Sequence, residues 1–261
     1  MPEAPRGVSR RRLEWRYSIA RLVIGLLMGG YLRLRLERRE RLPPAPYLLC
    51  FNHLGWLDPF VIVVLWPARP RVHVFGPREE DMNVGARNRV INWIGTAVPF
   101  RPTKDDLVRS TRRSMAILAE GHVLAIAGEG RLSEEETVVL PINEGAAFLA
   151  LRARVPIVPL AINGTRWLRF GKVIRLRVGE PIPTAGLRPG RETLDRLTGE
   201  IHRQLSALVA DYPDRRVPGP VGRWLTEVFS ERPWLATDPA TEAATEAATE
   251  PSDDGDRTGG G

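Results

Sequence analysis

Cysteine occurs once in the 261 residues, at Cys50, which excludes an intrachain disulfide framework and a cysteine-rich zinc site. Its setting in the apolar run Tyr47-Leu48-Leu49-Cys50-Phe51 reads as buried filler, compatible with a reducing compartment. Lysine is almost missing: only Lys104 and Lys172 stand among 38 basic residues. Such arginine dominance suits phosphate binding and is equally the mark of a GC-rich genome. No apolar run reaches the ~20 residues of a spanning helix, so a polytopic membrane protein is excluded. Aromatics make up 7% of the chain and are sparsely interleaved with bases, which counts against single-stranded nucleic-acid binding. Residues 236–261 have almost no apolar side chains and carry a tandem Ala-Thr-Glu-Ala pattern followed by acids and glycines. This acidic tail is expected to be disordered.

What is present is charge, unevenly placed. The tail holds seven acids and one base, a net of −6, so residues 1–235 carry +13 of the overall +7. A body so basic seeks polyanions, whether nucleic acid, anionic head groups or phosphorylated substrates. Hydrophobic content is 43% and charged content 26%, ordinary for a globular domain.

The N-terminus is basic at Arg6, Arg10, Arg11, Arg12 and Arg16, and an apolar stretch, Leu22 to Leu32, lies between Arg21 and Arg33. It is too short to cross a bilayer, no small-residue cleavage site follows it, and bases on both sides keep both ends cytoplasmic. Residues 1–42 therefore read as a basic amphipathic segment lying in a membrane interface, with a helix packed on the domain as the other reading. Residues 43–235 read as the main domain. Within it, Tyr47–Asn52, Arg71–Phe75, Thr96–Phe100, His122–Ala127, Val155–Asn163 and Lys172–Val178 read as strands, the last half-exposed. Asp81–Ile94, Asp105–Glu120, Glu144–Arg154 and Arg191–Asp211 read as helices, while periodicity leaves Phe60–Trp66 open between the two. Strand–helix alternation predicts an α/β fold with a mainly parallel central sheet flanked by helices.

Four stretches carry chemistry. In Asn52-His53-Leu54-Gly55-Trp56-Leu57-Asp58-Pro59, five residues on a continuous helix would set His53 and Asp58 apart. A turn at Gly55, before a helix that starts at Asp58-Pro59, would let them meet. A carboxylate on one imidazole nitrogen fixes the tautomer and stabilises the charge gained when the other takes a proton. The other reading is that Asp58 is only an N-cap and His53 a loop residue. In Gly95-Thr96-Ala97-Val98-Pro99-Phe100-Arg101, the arginine ends a short strand, where it could grip a phosphate or simply be a surface base. Ala125 to Ser133 runs from a strand into Gly128, Glu129, Gly130 and Arg131, as at a ligand edge or an ordinary turn. Val155 to Ile162 holds two prolines, which suggests an edge or irregular strand. The remaining histidines, His73, His122 and His202, lack ligand spacing, and no metal site is expected.

Taken together in order and spacing, these stretches resemble the glycerolipid acyltransferase family typified by 1-acylglycerol-3-phosphate acyltransferases. His53 to Asp58 matches its H-x-x-x-x-D motif, Gly95 to Arg101 is similar to its second block, and Glu129-Gly130 matches the E-G of its E-G-T-R block. Val155–Ile162 resembles its proline-containing fourth block, and Gly145–Leu151 its small-residue helix. The likeness covers roughly Pro46 to Pro183. Two departures stand out. Where the family reads P-E-G-T-R, this chain has Gly128-Glu129-Gly130-Arg131-Leu132. Pro99-Phe100 replaces the isoleucine and aspartate that many members carry.

The resemblance implies an acyltransferase in phospholipid biosynthesis. His53 would be the base and Asp58 its partner. Gly95, Arg101, Glu129, Gly130 and Arg131 would bind substrate, the arginines holding the acceptor's phosphate. It implies no cofactor and no metal: acyl-CoA or acyl-carrier protein is the donor substrate. A lysophospholipid, foremost 1-acylglycerol 3-phosphate, is the acceptor, giving phosphatidic acid. The anionic membrane surface is a partner, nucleic acid is not, and the location is the cytoplasmic face, peripheral or monotopic. Alternatives are glycerol 3-phosphate, another lysophospholipid or a glycolipid as acceptor, a basic nucleic-acid-binding protein, and an inactive member serving as a membrane scaffold.

Overall fold

The computed structural model describes residues 10–76, 86–99, 104–214, 216 and 218–230. Arg101 and the acidic tail, and with them the expectations they carry, lie outside these residues. Seven strands form one sheet in the order β1-β7-β6-β2-β5-β3-β4. They are β1 (Arg33–Glu37), β2 (Tyr47–Phe51), β3 (Val72–Gly76), β4 (Ala97–Pro99), β5 (Val123–Ala127), β6 (Ile157–Asn163) and β7 (Val173–Val178). All neighbours are parallel except β6 and β7, so the α/β class and the mainly parallel sheet match the expectation. The helices are α1 (Arg10–Tyr31), α2 (Asp58–Leu65), α3 (Ala86–Ile94), α4 (Lys104–Ala119), α5 (Gly145–Ala153), α6 (Arg191–Val209) and α7 (Pro220–Ser230).

The strand period of two sorts the core into two layers. Tyr47, Leu49 and Phe51 of β2 face a cluster with Tyr17, Ala20 and Met28 of α1 and Val61, Ile62 and Val63 of α2. Leu48 and Cys50 point the other way, into a cluster with Ala146, Ala147 and Ala150 of α5 and Leu197, Ile201 and Leu205 of α6. Every residue of β2 is buried, as a central parallel strand covered on both faces requires. Cys50 is fully buried and its thiol is pushed up to about 12 by burial, with Glu129 adding to the rise. Iodoacetamide at about pH 8 is accordingly expected to leave the native protein unlabelled and to label it fully in denaturant, as mass spectrometry would read. Rapid native labelling would mean that β2 opens locally.

Several readings change. Phe60–Trp66, ambiguous by periodicity, is helical over Asp58–Leu65. Arg33–Glu37, assigned to the N-terminal segment, is an edge strand, so the domain begins before residue 43. That strand covers β7, which is interior rather than half-exposed. The β7 bases are held by charge: Arg175 and Arg177 both donate to Asp211, and Arg177 also to Glu37. The proline-bearing β6 is interior too, not an edge. Pro159 lies just outside the β6–β7 ladder, which starts at Leu160 opposite Val178, and its carbonyl accepts from Gly179 N at 2.8 Å. The donor that proline lacks falls where β7 has ended.

The N-terminal helix packs on the domain with part of its surface and leaves other apolar side chains exposed. α1 packs through Tyr17, Ala20 and Met28, and Arg21 donates to the Trp66 carbonyl. Trp15, Leu22, Val23, Leu26 and Leu27 remain exposed. No helix of the described residues is long and apolar enough to cross a membrane.

Candidate active site

Three adjacent parallel strands, β6, β2 and β5, end side by side, and the residues that follow them meet at this carboxyl edge, the usual ligand edge of such sheets. Asn52 follows β2 and is fully buried. Its amide Nδ2 donates to the Ile162 carbonyl at 2.9 Å and its Oδ1 accepts from Ile162 N at 2.7 Å, so a side chain continues the β2–β6 ladder by one more step. This fixes where His53 leaves the sheet.

Nδ1 of His53 donates to Asp58 Oδ2 at 2.7 Å. The same oxygen accepts from the backbone N–H of Leu54 at 2.8 Å and of Gly55 at 3.0 Å, while Oδ1 accepts from the Thr165 hydroxyl. The turn between His53 and Asp58 is thus organised around the carboxylate. Asp58 is the first helical residue of α2, one past the N-cap Leu57, and its side chain reaches back into the preceding turn. Gly55 serves by close approach, since a Cβ there would sit 3.2 Å from the Thr165 carbonyl oxygen. The Asp58 side chain is wholly inaccessible and that of His53 is 26% exposed, so Nε2 is the nitrogen left for a reacting partner. Phe51 meets the imidazole edge-to-face at 6.1 Å.

The loop between β5 and α5 closes on this pair from the other side. Glu129 is buried, and its two carboxylate oxygens accept from His53 N and Leu140 N, each at 2.7 Å. Burial pushes its carboxyl above the usual range, and those two donors oppose the rise. Ser133 N donates to the His53 carbonyl at 2.7 Å. Both Glu129 oxygens thus accept from the protein backbone, and one of them holds the N–H of His53. Gly130, at φ 68°, lies against the Asn143 amide, with which a Cβ would collide. Arg131 and Leu132 are exposed at the rim.

Gly95 is not brought to this edge of the sheet. It precedes β4, which runs parallel to the strands whose far ends carry His53, so it lies at the opposite edge of the sheet. Its N–H donates to Ile91 and Asn92 carbonyls at 3.1 and 3.0 Å, and its φ of 71° ends α3.

Sequence reasoning passed over Asn52, Thr165, Glu136 and Lys172. Thr165 sits in Asn163-Gly164-Thr165, which starts at the last residue of β6; a polar triplet closing an apolar strand was the available signal. Gly164 has φ 94°, and a Cβ would come within 2.5 Å of the Val173 carbonyl oxygen. Lys172 is fully buried; its ammonium donates to Glu136 Oε1 at 3.1 Å and to the Trp167 carbonyl at 2.9 Å, and lies 4.0 Å from the Trp167 ring centroid. Burial pulls it below the usual ammonium range, and Glu136 opposes that. Among the described residues no group of three or more His, Cys, Asp or Glu side chains could hold a metal ion.

Residues 33–163, half of the chain, match the family described as Acyltransferase, a stretch that takes in β2, β5 and β6 to its last residue. The chain belongs to this acyltransferase family. Among relatives of the family, a 1-acyl-sn-glycerol-3-phosphate acyltransferase of Bacillus subtilis is 25% identical over 200 residues, covering 71% of this chain and 92% of that one. The alpha form from Bos taurus and the enzyme named alike from Saccharomyces cerevisiae are each 24% identical, over 60% and 66% of this chain. The chain spans only 57% and 56% of their respective lengths. The fold is that of the 1-acyl-sn-glycerophosphate (LPA) acyltransferase PlsC from Thermotoga maritima, with a TM-score of 0.58 and 19% identity over 77% of this chain and 81% of that one.

Proposed function

We propose that this acyltransferase moves a fatty acyl group from the thioester of acyl-CoA or acyl-carrier protein to a lysophospholipid hydroxyl, with 1-acylglycerol 3-phosphate as acceptor and phosphatidic acid as product. The observation that carries the reading is the buried Asp58 carboxylate on Nδ1 of a partly exposed His53. The names of the relatives support the acceptor.

In the step proposed, Nε2 of His53 takes the proton of the acceptor hydroxyl as its oxygen attacks the thioester carbonyl. Asp58 stabilises the imidazolium that results. The tetrahedral intermediate expels the thiolate, which recovers the proton from Nε2 and leaves as thiol. No covalent acyl-enzyme is required, and Cys50, buried on the far face of β2, takes no part. Arg131 at the rim and Arg101 after β4 would hold the acceptor's phosphate. Substrate and product are lipids, and the exposed apolar residues of α1, Trp15, Leu22, Val23, Leu26 and Leu27, beside a basic body support a peripheral or monotopic place on the cytoplasmic membrane face.

One observation favours a second reading of the acceptor alone. Leu132 stands where the family carries arginine, and Glu134 and Glu135 are exposed just beyond it. An acceptor whose phosphate is esterified, or a glycolipid, would tolerate those acids better than a phosphomonoester. The test is thiol release by purified protein with a long-chain acyl-CoA and detergent-solubilised lysophosphatidic acid, lysophosphatidylglycerol or glycolipid. Release that requires lysophosphatidic acid supports the first reading, and release confined to the others supports the second. Absence of acyl transfer to every acceptor, with acyl-carrier protein also tried as donor, would reject both.

A further inference from the structure

The same loop touches both sides of the His53–Asp58 pair, and on the Asp58 side it does so through Glu136, six residues after Gly130. Glu129 and Ser133 hold the N–H and the carbonyl of His53. Three residues further on, Glu136 Oε2 accepts from Gly164 N at 2.5 Å, and the Glu136 carbonyl accepts from Asn163 Nδ2 at 2.6 Å. Gly164 is the residue before Thr165, whose hydroxyl donates to Asp58. The other oxygen of Glu136 is taken by Lys172, whose side chain is wholly inaccessible.

We propose that Glu136, neutralised by Lys172, is a positioning residue that sets the Gly164–Thr165 turn and thereby the orientation of Asp58 against His53. This deepens the reading of His53 as the base and rests on it. The physical reasoning is one of tethering. Thr165 reaches Asp58 across the end of β6 from a glycine in the left-handed region, a conformation with little intrinsic preference of its own. The turn therefore needs an external hold, and Glu136 Oε2 supplies the acceptor for the Gly164 N–H. Water would compete for that acceptor in an open loop. The buried ammonium keeps the carboxylate in place and its charge compensated. A bare structural ion pair would need no contact to Gly164; here one oxygen serves the pair and the other serves the turn.

The consequence is that catalysis should follow the acceptor for Gly164 rather than the charge. Three variants separate these: Glu136→Leu with Lys172→Met removes charge and acceptor together, Glu136→Gln with Lys172→Met removes the charge but keeps an acceptor, and Glu136→Asp keeps the charge but shortens its reach. The readouts are kcat and KM for acyl transfer and, independently of any activity, the Nδ1–H proton resonance of His53, assigned by its loss in His53→Ala. The Leu/Met pair and Glu136→Asp are expected to broaden that resonance and to lower kcat about tenfold or more with KM unchanged, since small misplacements of reacting groups are costly. The Gln/Met pair is expected to keep both. Should the Leu/Met pair fail to fold, Glu136→Asp carries the test. A sharp, unshifted His53 resonance in folded Glu136→Asp overturns the proposal, as does equal loss in the Gln/Met pair. If the resonance responds as expected while no variant, nor wild type, transfers acyl groups, the positioning stands and it is the function proposed above that fails.

Discussion

His53→Ala, Asp58→Asn and the double variant are each expected to lose about a thousandfold in kcat, to one common floor. The magnitude follows from charge. Once Nε2 has taken a proton, the imidazolium lies against a carboxylate with no solvent access, and unit charges at about 4 Å interact by roughly 4 kcal/mol at the effective dielectric of such sites. That energy is about three decades in rate. Asparagine should be tolerated by the fold. Three N–H donors, from His53, Leu54 and Gly55, converge on Oδ2, so the amide oxygen must settle there. Its NH2 group then faces the Thr165 oxygen, which can accept. The histidine tautomer is thereby kept, and what is lost is the compensating charge. Because Asp58 acts only through His53, removing both should cost no more than removing one. Losses that multiply in the double variant would give Asp58 a separate task, and full activity in His53→Ala would remove the proposed base. Circular dichroism and melting curves on the same preparations distinguish these outcomes from unfolding.

The legibility of this site in the sequence was uneven, for physical reasons. His53 and Asp58 are five residues apart, and the requirement that they meet across a turn is local, so the short stretch displays it. The alternating strands and helices were likewise local: α4, α5, α6, β5 and β7 fall within two residues of where pattern and caps put them. What escaped depends on tertiary placement. Thr165 lies 107 residues from Asp58 in sequence, and only the parallel adjacency of β6 and β2 brings it there. That Glu129 holds the amides of His53 and Leu140, 76 and 11 residues away, likewise depends on how the loop after β5 folds against β2. Arg33–Glu37 escaped because its neighbours Arg38 and Arg39 and its exposed alternate residues look like the flank of an interfacial helix; pairing with β7, 140 residues away at Glu37 and Arg177, is what makes it a strand. Pro159 misled in the opposite direction, since a missing donor marks an edge only when a partner strand stands opposite it.

Lys172→Met is expected to be the most destabilising single substitution among the residues discussed, costing about 3 kcal/mol and lowering Tm by roughly 6–12 °C for a chain of this size. Lysine is rare here, and this one is buried in full. Methionine fills nearly the same volume, so the loss comes from charge rather than from a cavity. It leaves the Glu136 carboxylate, whose side chain is only 11% exposed, with the Gly164 N–H as its partner and no cation. The remaining exposure places the cost at the lower end of what breaking a buried pair incurs. Adding Glu136→Gln to Lys172→Met removes the stranded charge and keeps an acceptor for Gly164, and is expected to restore most of the stability. Burial already pulls the Lys172 ammonium below its usual range despite Glu136, so the pair itself stabilises little; its removal as a unit should be nearly neutral, whereas its division should not. Differential scanning calorimetry of the two variants reads this directly. A single variant as stable as wild type would show that water reaches Glu136 once the ammonium is gone, and a double variant no better than the single would put the loss in the Trp167 contacts, where the ammonium lies over the indole and bonds its carbonyl.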